Sequence, residues 1–209
     1  KIASNAVTAA KIAAGAVTVD KIAIFGSSRV DELYVRGTGY NNPANRQVRL
    51  GNTFLVNGGG RGFCLTVIKR SDHSHLSYRR DGTPSSTLAA SQVYDVYEGN
   101  DEDILALRNA LIELRTNANG TRANGEWGSD IIIIITSYDS WRTDLAYGDE
   151  LVDELLNHGA SEAIRRGGYR MPYLLIGIPG IGEGRGIEIL TDNDPTAPWA
   201  EYSGLLING

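Results

Sequence analysis

The residues best suited to binding a ligand follow a strongly apolar segment. Residues 131–135 are five consecutive isoleucines, and a β-branched run of this length is typical of a strand covered on both faces. Tyr138, Asp139 and Trp141 come directly after this run. Ligand-binding groups collect at strand ends of this kind in open α/β sheets. We therefore expect a site where this central strand ends.

Other reactive residues fit no catalytic or metal-binding pattern. His73 and His75 alternate beside Asp72, and a solvated hairpin tip explains them better than a metal site. Cys64 lies in an apolar segment and is interpreted as a small buried hydrophobe. Residues 180–186 are rich in glycine, but they open no predicted helix and so do not form a nucleotide-binding loop. We expect no cofactor, no metal ion and no catalytic residues.

Composition narrows the class of protein further. The chain has 209 residues, 42% of them hydrophobic, which is enough for one sizeable core. Its net charge is -5, and the two signs are interspersed, so a general nucleic-acid binder is not expected. No apolar run approaches the roughly 20 residues of a membrane helix, so we expect no membrane insertion. With a single cysteine, the fold depends on packing.

The first residues form a ten-residue repeat that differs from the rest of the chain. Residues 1–10 read KIASNAVTAA, residues 11–20 read KIAAGAVTVD, and a third KIA begins at residue 21. One apolar side chain in five cannot bury enough surface in a single chain, but several copies winding around one axis can share an apolar seam. A flexible alanine-rich linker is the alternative. We place a repetitive segment at residues 1–28 and a globular head at residues 29–209.

The head is predicted to be an α/β sandwich with flanking helices. The apolar segments alternate with amphipathic ones, which is typical of this class. Hairpin signals near its start predict a mixed sheet. Strands are predicted at residues 32–35, 48–56, 63–69, 76–80, 93–97, 131–135, 173–178, 186–190 and 204–207, and helices at residues 101–114, 149–158 and 161–166.

The repeat KIA-x-x-AVT-x-x resembles the shaft repeats of bacteriophage tail fibre proteins. These fibres are usually homotrimers that carry a receptor-binding head at the far end. The resemblance implies a homotrimer in the virion, located outside the host cell at its surface. The chain starts abruptly at Lys1, so we expect a fragment whose upstream part joins a fibre or tail-tip protein.

Five segments of the head occur in a fixed order that is similar to a second family. They are RGFCLTVI (61–68), YDVYEGNDEDILALRNAL (94–111), DIIIIITSYD (130–139), DELVDELLNHGAS (149–161) and GYRMPYLLIGIPG (168–180). Together they resemble the domain shared by the interleukin-like EMT inducer and pancreatic-derived factor cytokines, which also forms the stem of protein O-mannose N-acetylglucosaminyltransferase. The resemblance implies a globular α/β head that binds a terminal sugar without catalysis.

Three positions match residues that the second family is expected to use for holding the sugar. They are Arg61, Asp139 and Arg170. An aspartate accepts hydrogen bonds from vicinal hydroxyls, and an arginine donates to ring or acetamido oxygens. The alternative is an Asp–Arg ion pair that only ties strand ends together.

Aromatic residues beside these positions could pack against the C–H groups of a sugar. Tyr138, Trp141 and Tyr169 are the candidates. The sequence departs from the family pattern at Met171 and Pro172, where the family has an aspartate and a small residue.

The resulting hypothesis is a receptor-binding head that attaches a phage to a host-surface carbohydrate. One alternative is a head that docks on an outer-membrane protein through loops at residues 37–47 or 117–128. Another is a purely structural fibre tip. An enzyme that degrades surface polysaccharide ranks last, because no pair of acidic residues or nucleophile supports it.

Overall fold

The described part of the chain consists mostly of β-structure, with two α-helices packed on one side. The predicted repetitive segment at residues 1–28 and the loop at residues 117–128 lie outside the described residues. The computed structural model describes residues 29–40, 44–85, 91–98, 101–116, 130–192 and 199–207.

The described residues form nine strands, two α-helices and a short 3-10 helix, Glu162–Arg166. The strands and α-helices are β1 (Val30–Thr38), β2 (Arg46–Leu50), β3 (Thr53–Gly58), β4 (Gly62–Lys69), β5 (Ser91–Tyr94), α1 (Asp101–Thr116), β6 (Ile131–Tyr138), α2 (Gly148–Asn157), β7 (Tyr173–Gly177), β8 (Ile187–Leu190) and β9 (Trp199–Ile207). These strands form two sheets. The outer sheet has the order β3-β2-β1-β9, and the central sheet has the order β5-β4-β6-β7-β8.

The central sheet lies between the outer sheet and the helices. Ile131, Ile133 and Ile135 of β6 pack in the cluster that includes α1 and α2. Ile132 and Ile134 point to the other face and pack against β1 and β2 of the outer sheet. Successive side chains of a strand face opposite sides, so the isoleucine run is a strand covered on both faces, as predicted.

The predicted α/β sandwich agrees with this architecture, but the predicted mixed sheet does not. Every strand pair among the described residues is antiparallel. The segment β5-α1-β6 does join two strands that run in the same direction. However, β4 lies between them and pairs antiparallel with both. The helical connection and strand β4 were therefore both recognisable in the sequence, whereas the position of β4 between β5 and β6 was not.

Two predicted strands also differ from the structure. The segment at residues 48–56 is the hairpin of β2 and β3, because the chain turns at Gly51, whose φ of 52° favours glycine. The segment at residues 76–80 forms only an isolated bridge, between Tyr78 and Pro84. By contrast, β9 is longer than predicted and pairs with β1 over its full nine residues.

Four strands of the central sheet begin or end side by side, at the same end of the sheet. Gly62 at the start of β4 pairs with Tyr138 at the end of β6, and Phe63 pairs with Tyr94 at the end of β5. The start of β7 lies beside the end of β6. We call this the strand-end edge, and its segments are residues 61–62, 94–98, 138–144 and 167–173. The predicted site residues all fall on it.

Candidate ligand-binding site

Asp139 and Arg170 lie at the strand-end edge in strained backbone conformations. Asp139 follows β6 with a φ of 64°, and Arg170 precedes β7 with a φ of 63°. Non-glycine residues rarely adopt this left-handed region, which costs about 1–3 kcal/mol and is concentrated at functional sites. Asp139 accepts a hydrogen bond from Ser140 Oγ at 2.9 Å. Among the described residues, no ion pair joins Asp139 to Arg170, so the predicted alternative of a tie between them is not observed.

Arg170 is held between two tyrosine rings. Its guanidinium carbon lies 3.8 Å from the centroid of Tyr40 and 4.6 Å from that of Tyr169. Both rings are about half exposed, at 55% and 52%. The Nε atom of Arg170 is buried and has no hydrogen-bond partner among the described residues. Cation–π contacts therefore fix this side chain in the molecular surface.

The stacking continues from Tyr169 to the other side of the edge. The ring centroids of Tyr169 and Tyr97 lie 5.8 Å apart, and the guanidinium carbon of Arg61 lies 5.3 Å from the centroid of Tyr97. Arg61, Tyr97, Tyr169, Arg170 and Tyr40 thus form one continuous row, which we call the aromatic row. Its members partly cover one another's ring faces, and Tyr40 and Tyr169 still leave about half of their surface exposed.

Arg61 is engaged in an ion pair. Its Nη2 donates to Asp95 Oδ2 at 2.7 Å, its Nε donates to both carboxylate oxygens of Asp95, and Nη2 also contacts Glu98. The hydrogen bonds to Asp95 and then Glu98 raise the pKa of Arg61 further. For Arg61, the structure therefore shows the ion pair that was the alternative to sugar binding. Its Nε and Nη2 atoms are occupied by carboxylates, and its guanidinium packs against Tyr97.

A pocket of about 360 Å³ opens beside the aromatic row. Tyr97 and Tyr169 contribute its aromatic wall, and two glycines leave its rim without side chains. The lining residues are Tyr97, Arg142, Thr143, Asp144, Arg165, Gly167, Gly168 and Tyr169.

Both arginines that line this pocket are paired with carboxylates. Arg142 binds Asp144 through two hydrogen bonds, of 2.7 and 2.8 Å, and the hydrogen bond from Arg142 lowers the pKa of that carboxyl group. Arg165 binds the carboxylates of Asp149, Asp153 and Glu162 at 2.7–2.8 Å. Two arginines against four carboxylates leave this group with a net negative charge, so the surface disfavours anions and offers donors and acceptors to a hydroxyl-rich ligand.

Trp141, a predicted ligand-stacking residue, is part of the core instead. Its side chain is fully buried, and its ring lies 5.0 Å from Phe63 and 5.3 Å from Tyr173, centroid to centroid. The indole Nε1 donates to the carbonyl of Met171 at 2.7 Å. Because both faces of the ring are covered, Trp141 supports the pocket from beneath and has no surface for a sugar.

Tyr138 lies on the side of the edge that faces the outer sheet. A Cβ atom added to Gly59 would be 3.0 Å from the Tyr138 ring. The guanidinium carbon of Arg46 lies 5.6 Å from the ring centroid. Tyr138 is therefore half-buried between these groups and does not line the pocket.

Sequence reasoning missed several residues of this site. Tyr97 ends a segment that was predicted as a strand, so the same strand-end rule would have identified it. Arg142 and Asp144 follow Trp141 directly in the sequence. The strand-end prediction considered residues only as far as Trp141 and so left them out. Tyr40 and Arg165 carried no local signal, because their partners are distant in the sequence.

A second cleft in the described structure is less polar than this pocket. A cleft of about 220 Å³ at the opposite end of the central sheet is apolar and includes Ile132, Ile176, Ile181 and Leu206. Among the described residues, no three His, Cys, Asp or Glu side chains are placed to hold a metal ion. In the same part of the chain, no helix has the length and apolar character needed to cross a membrane.

Comparison with known proteins adds no identification. No family model matches the chain, and no curated protein is significantly similar to it. The resemblances to tail fibre shafts and to the cytokine-type domain therefore stay predictions from motifs.

Proposed function

We propose that this protein is the receptor-binding head of a phage tail fibre and that it binds a host-surface glycan at the strand-end edge. The fibre is a homotrimer built on the repeat at residues 1–28. The glycan site is the pocket beside the aromatic row. The protein acts by adhesion, without catalysis.

One observation carries the glycan proposal. The pocket combines the rings of Tyr97 and Tyr169 with the paired charges of Arg142 and Asp144. The exposed surface of the tyrosine rings suits the apolar C–H patches of a sugar ring. Nη1 of Arg142, which the two bonds to Asp144 do not use, can donate to a hydroxyl, and the Asp144 carboxylate can accept from one. Arg170 extends this surface, because its guanidinium is presented between Tyr40 and Tyr169.

The repeat gives weak sugar binding a use. A single shallow site for one sugar binds with a Kd near 1 mM, equivalent to about -4 kcal/mol. Three heads on one shaft, and several fibres on one particle, raise the overall avidity about 100-fold or more when the sites engage together. Sedimentation of the whole chain should therefore give a trimer, and a monomer would contradict this part of the proposal.

Glycan-array binding tests the site directly. We expect the trimer to bind a defined subset of glycans, and we expect Tyr169→Ala and Arg170→Ala each to reduce that binding at least about tenfold. Phe54→Ala is the matched control, because Phe54 is exposed to the same extent, 50% against 52% for Tyr169, but lies on the outer sheet. Equal losses in all three variants, or none in the first two, would contradict the proposed site.

A second candidate is a head that binds an outer-membrane protein. The observation that favours it is the exposure of Val30, Leu205 and Ile207 on neighbouring strands β1 and β9, since contiguous exposed apolar residues often mark protein contacts. Adsorption that survives removal of host glycans but fails after deletion of one surface protein would establish this candidate. The opposite result would leave the glycan proposal standing.

A further inference from the structure

Arg46 places a positive charge between the two sheets. It is the first residue of β2, and its exposed fraction is 0%. Its Nη1 donates to the carbonyl oxygens of Thr136 at 3.0 Å and Gly62 at 3.3 Å. The ring of Tyr138 lies beside the guanidinium. These neutral contacts leave the charge of Arg46 without a counter-ion in the described part of the chain.

Two nitrogens of Arg46 have nothing to donate to. Its Nε and Nη2 atoms are buried, and neither has a hydrogen-bond partner among the described residues. Burial lowers the pKa of Arg46, yet arginine keeps its proton in proteins. The neighbouring Cys64 supplies no negative charge at neutral pH, because burial raises the pKa of its thiol. Buried N–H groups are almost always bonded, so these two call for a partner from outside the described residues.

The two unpaired nitrogens of Arg46 are the pair that other arginines of this protein use to bind a carboxylate. Nε and Nη2 of an arginine point the same way and match the two oxygens of a planar oxyanion. Three other arginines use these two nitrogens on a carboxylate, at 2.7–3.1 Å. The pairs are Arg61 with Asp95, Arg115 with Glu154, and Arg142 with Asp144. Arg46 presents the same donor geometry without an acid.

The segment that covers this side of the guanidinium has no side chains. Residues 58–60 are three glycines. A Cβ atom added to Gly60 would lie 3.5 Å from Nη2 of Arg46 and 3.3 Å from Val93. Val93 is partly exposed, so the guanidinium lies only one backbone segment below the surface. With no side chain at Gly60, the backbone of this segment is what covers the unpaired donors, which are buried in the structure.

We propose that Arg46 is the centre of an anion site and that its Nε and Nη2 atoms bind a small planar oxyanion of the carboxylate class. Because Nε and Nη2 are covered in the structure, the anion enters where the glycine segment at residues 58–60 moves aside. It satisfies both orphaned nitrogens and neutralises the buried charge. This site is separate from the pocket beside the aromatic row and does not depend on the proposed glycan function.

Thermal unfolding of the whole chain tests the site with formate as the probe. Chloride is replaced stepwise by formate at constant ionic strength. We expect a saturable rise in Tm of about 3–6 °C at ten times the Kd. Arg46→Met should abolish the rise. Arg49→Met is the matched control, because Arg49 lies on the same strand but stacks on Tyr34 at the surface, and it should keep the rise.

A crystal structure in formate provides a test that needs no variant. A planar ion with oxygens within hydrogen-bond distance of Nε and Nη2 supports the proposal even if Arg46→Met fails to fold. Water alone at this edge, or a carboxylate from another part of the chain, overturns it. So does a wild-type Tm that is unchanged by formate, or a rise that persists in Arg46→Met.

Discussion

The backbone of Gly167 lies directly against the ring of Trp141. A Cβ atom added to residue 167 would be 2.4 Å from Cη2 and 2.8 Å from Cζ2 of the indole. Gly167 lines the pocket, and Trp141 is fixed beneath it by a hydrogen bond to the carbonyl of Met171. The contact explains how a core residue controls the position of a surface segment. Any atom added at residue 167 must displace the ring or the pocket rim.

Gly167→Ala should therefore damage both stability and ligand binding. The φ of Gly167 is -83°, so alanine is compatible with the backbone and the effect comes from overpacking alone. Overpacking typically costs about 1–3 kcal/mol, measurable by urea unfolding. Gly58→Ala is the control, because a Cβ atom there would have no heavy atom within 4 Å. Equal unfolding free energies for the two variants would contradict the tight contact.

Ser137→Ala should weaken the attachment of the outer sheet to the central sheet. The Ser137 hydroxyl donates to the carbonyl of Thr38 at 3.0 Å and accepts from the backbone N–H of Tyr173 at 2.8 Å. Alanine leaves both buried groups without this partner, which costs about 1–3 kcal/mol. Ser203→Ala, on the exposed face of β9, should change the unfolding free energy by less than about 0.5 kcal/mol. A similarly small change for Ser137→Ala would show that the hydroxyl is not a link between the sheets.

The elements that were predicted correctly carry dense local signals. The isoleucine run of β6 has no polar face, which predicted a strand buried on both sides. The acidic first turn and the apolar stripe of α1 predicted that helix. The hairpin at residues 48–56 was missed although Gly51 and Asn52 form a two-residue turn signal between its strands. Strand pairing was missed for a different reason. Local sequence indicates that a strand forms, but which strand lies beside it is decided by packing between distant residues.

The candidate site was predictable in position but not in detail. The strand-end rule placed Asp139 and Arg170 at the right edge of the sheet. It could not distinguish Trp141, which is buried, from Tyr169, which is exposed, because both aromatic residues suit either environment. The aromatic row depends on segments far apart in the chain, such as those of Tyr40 and Tyr97. Such contacts leave no pattern in a single sequence.

Trp141→Phe should lower stability, as expected for a core residue. Phenylalanine keeps an aromatic ring against Phe63 and Tyr173, but it leaves a cavity and removes the donor to the Met171 carbonyl. A buried carbonyl that loses its partner costs about 1–3 kcal/mol. Chemical denaturation measures this loss. If the variant kept wild-type stability but lost glycan binding, Trp141 would contact the ligand, as the sequence analysis predicted, and would not be a core residue.

Protonation of His158 should couple stability to pH near neutrality. His158 is fully buried, and its Nδ1 lies 2.8 Å from the carbonyl of Glu154. Burial is the largest influence and lowers the pKa of His158. The Glu154 carbonyl and carboxylate oppose this effect, and Arg115 reinforces it. The unfolded chain, with a histidine pKa of about 6.5, therefore binds a proton that the folded protein does not.

The sign of the pH dependence follows from this difference. The contribution of His158 is fully present above about pH 7.5 and declines as the pH falls through 6.5, because protonation favours the unfolded state. The slope from one proton is at most about 1.4 kcal/mol per pH unit. His158→Asn keeps a donor for the Glu154 carbonyl but cannot titrate, so its unfolding free energy should change less between pH 7.5 and 5.5. Identical slopes in the two proteins, measured by urea unfolding across this range, would show that His158 does not account for the pH dependence.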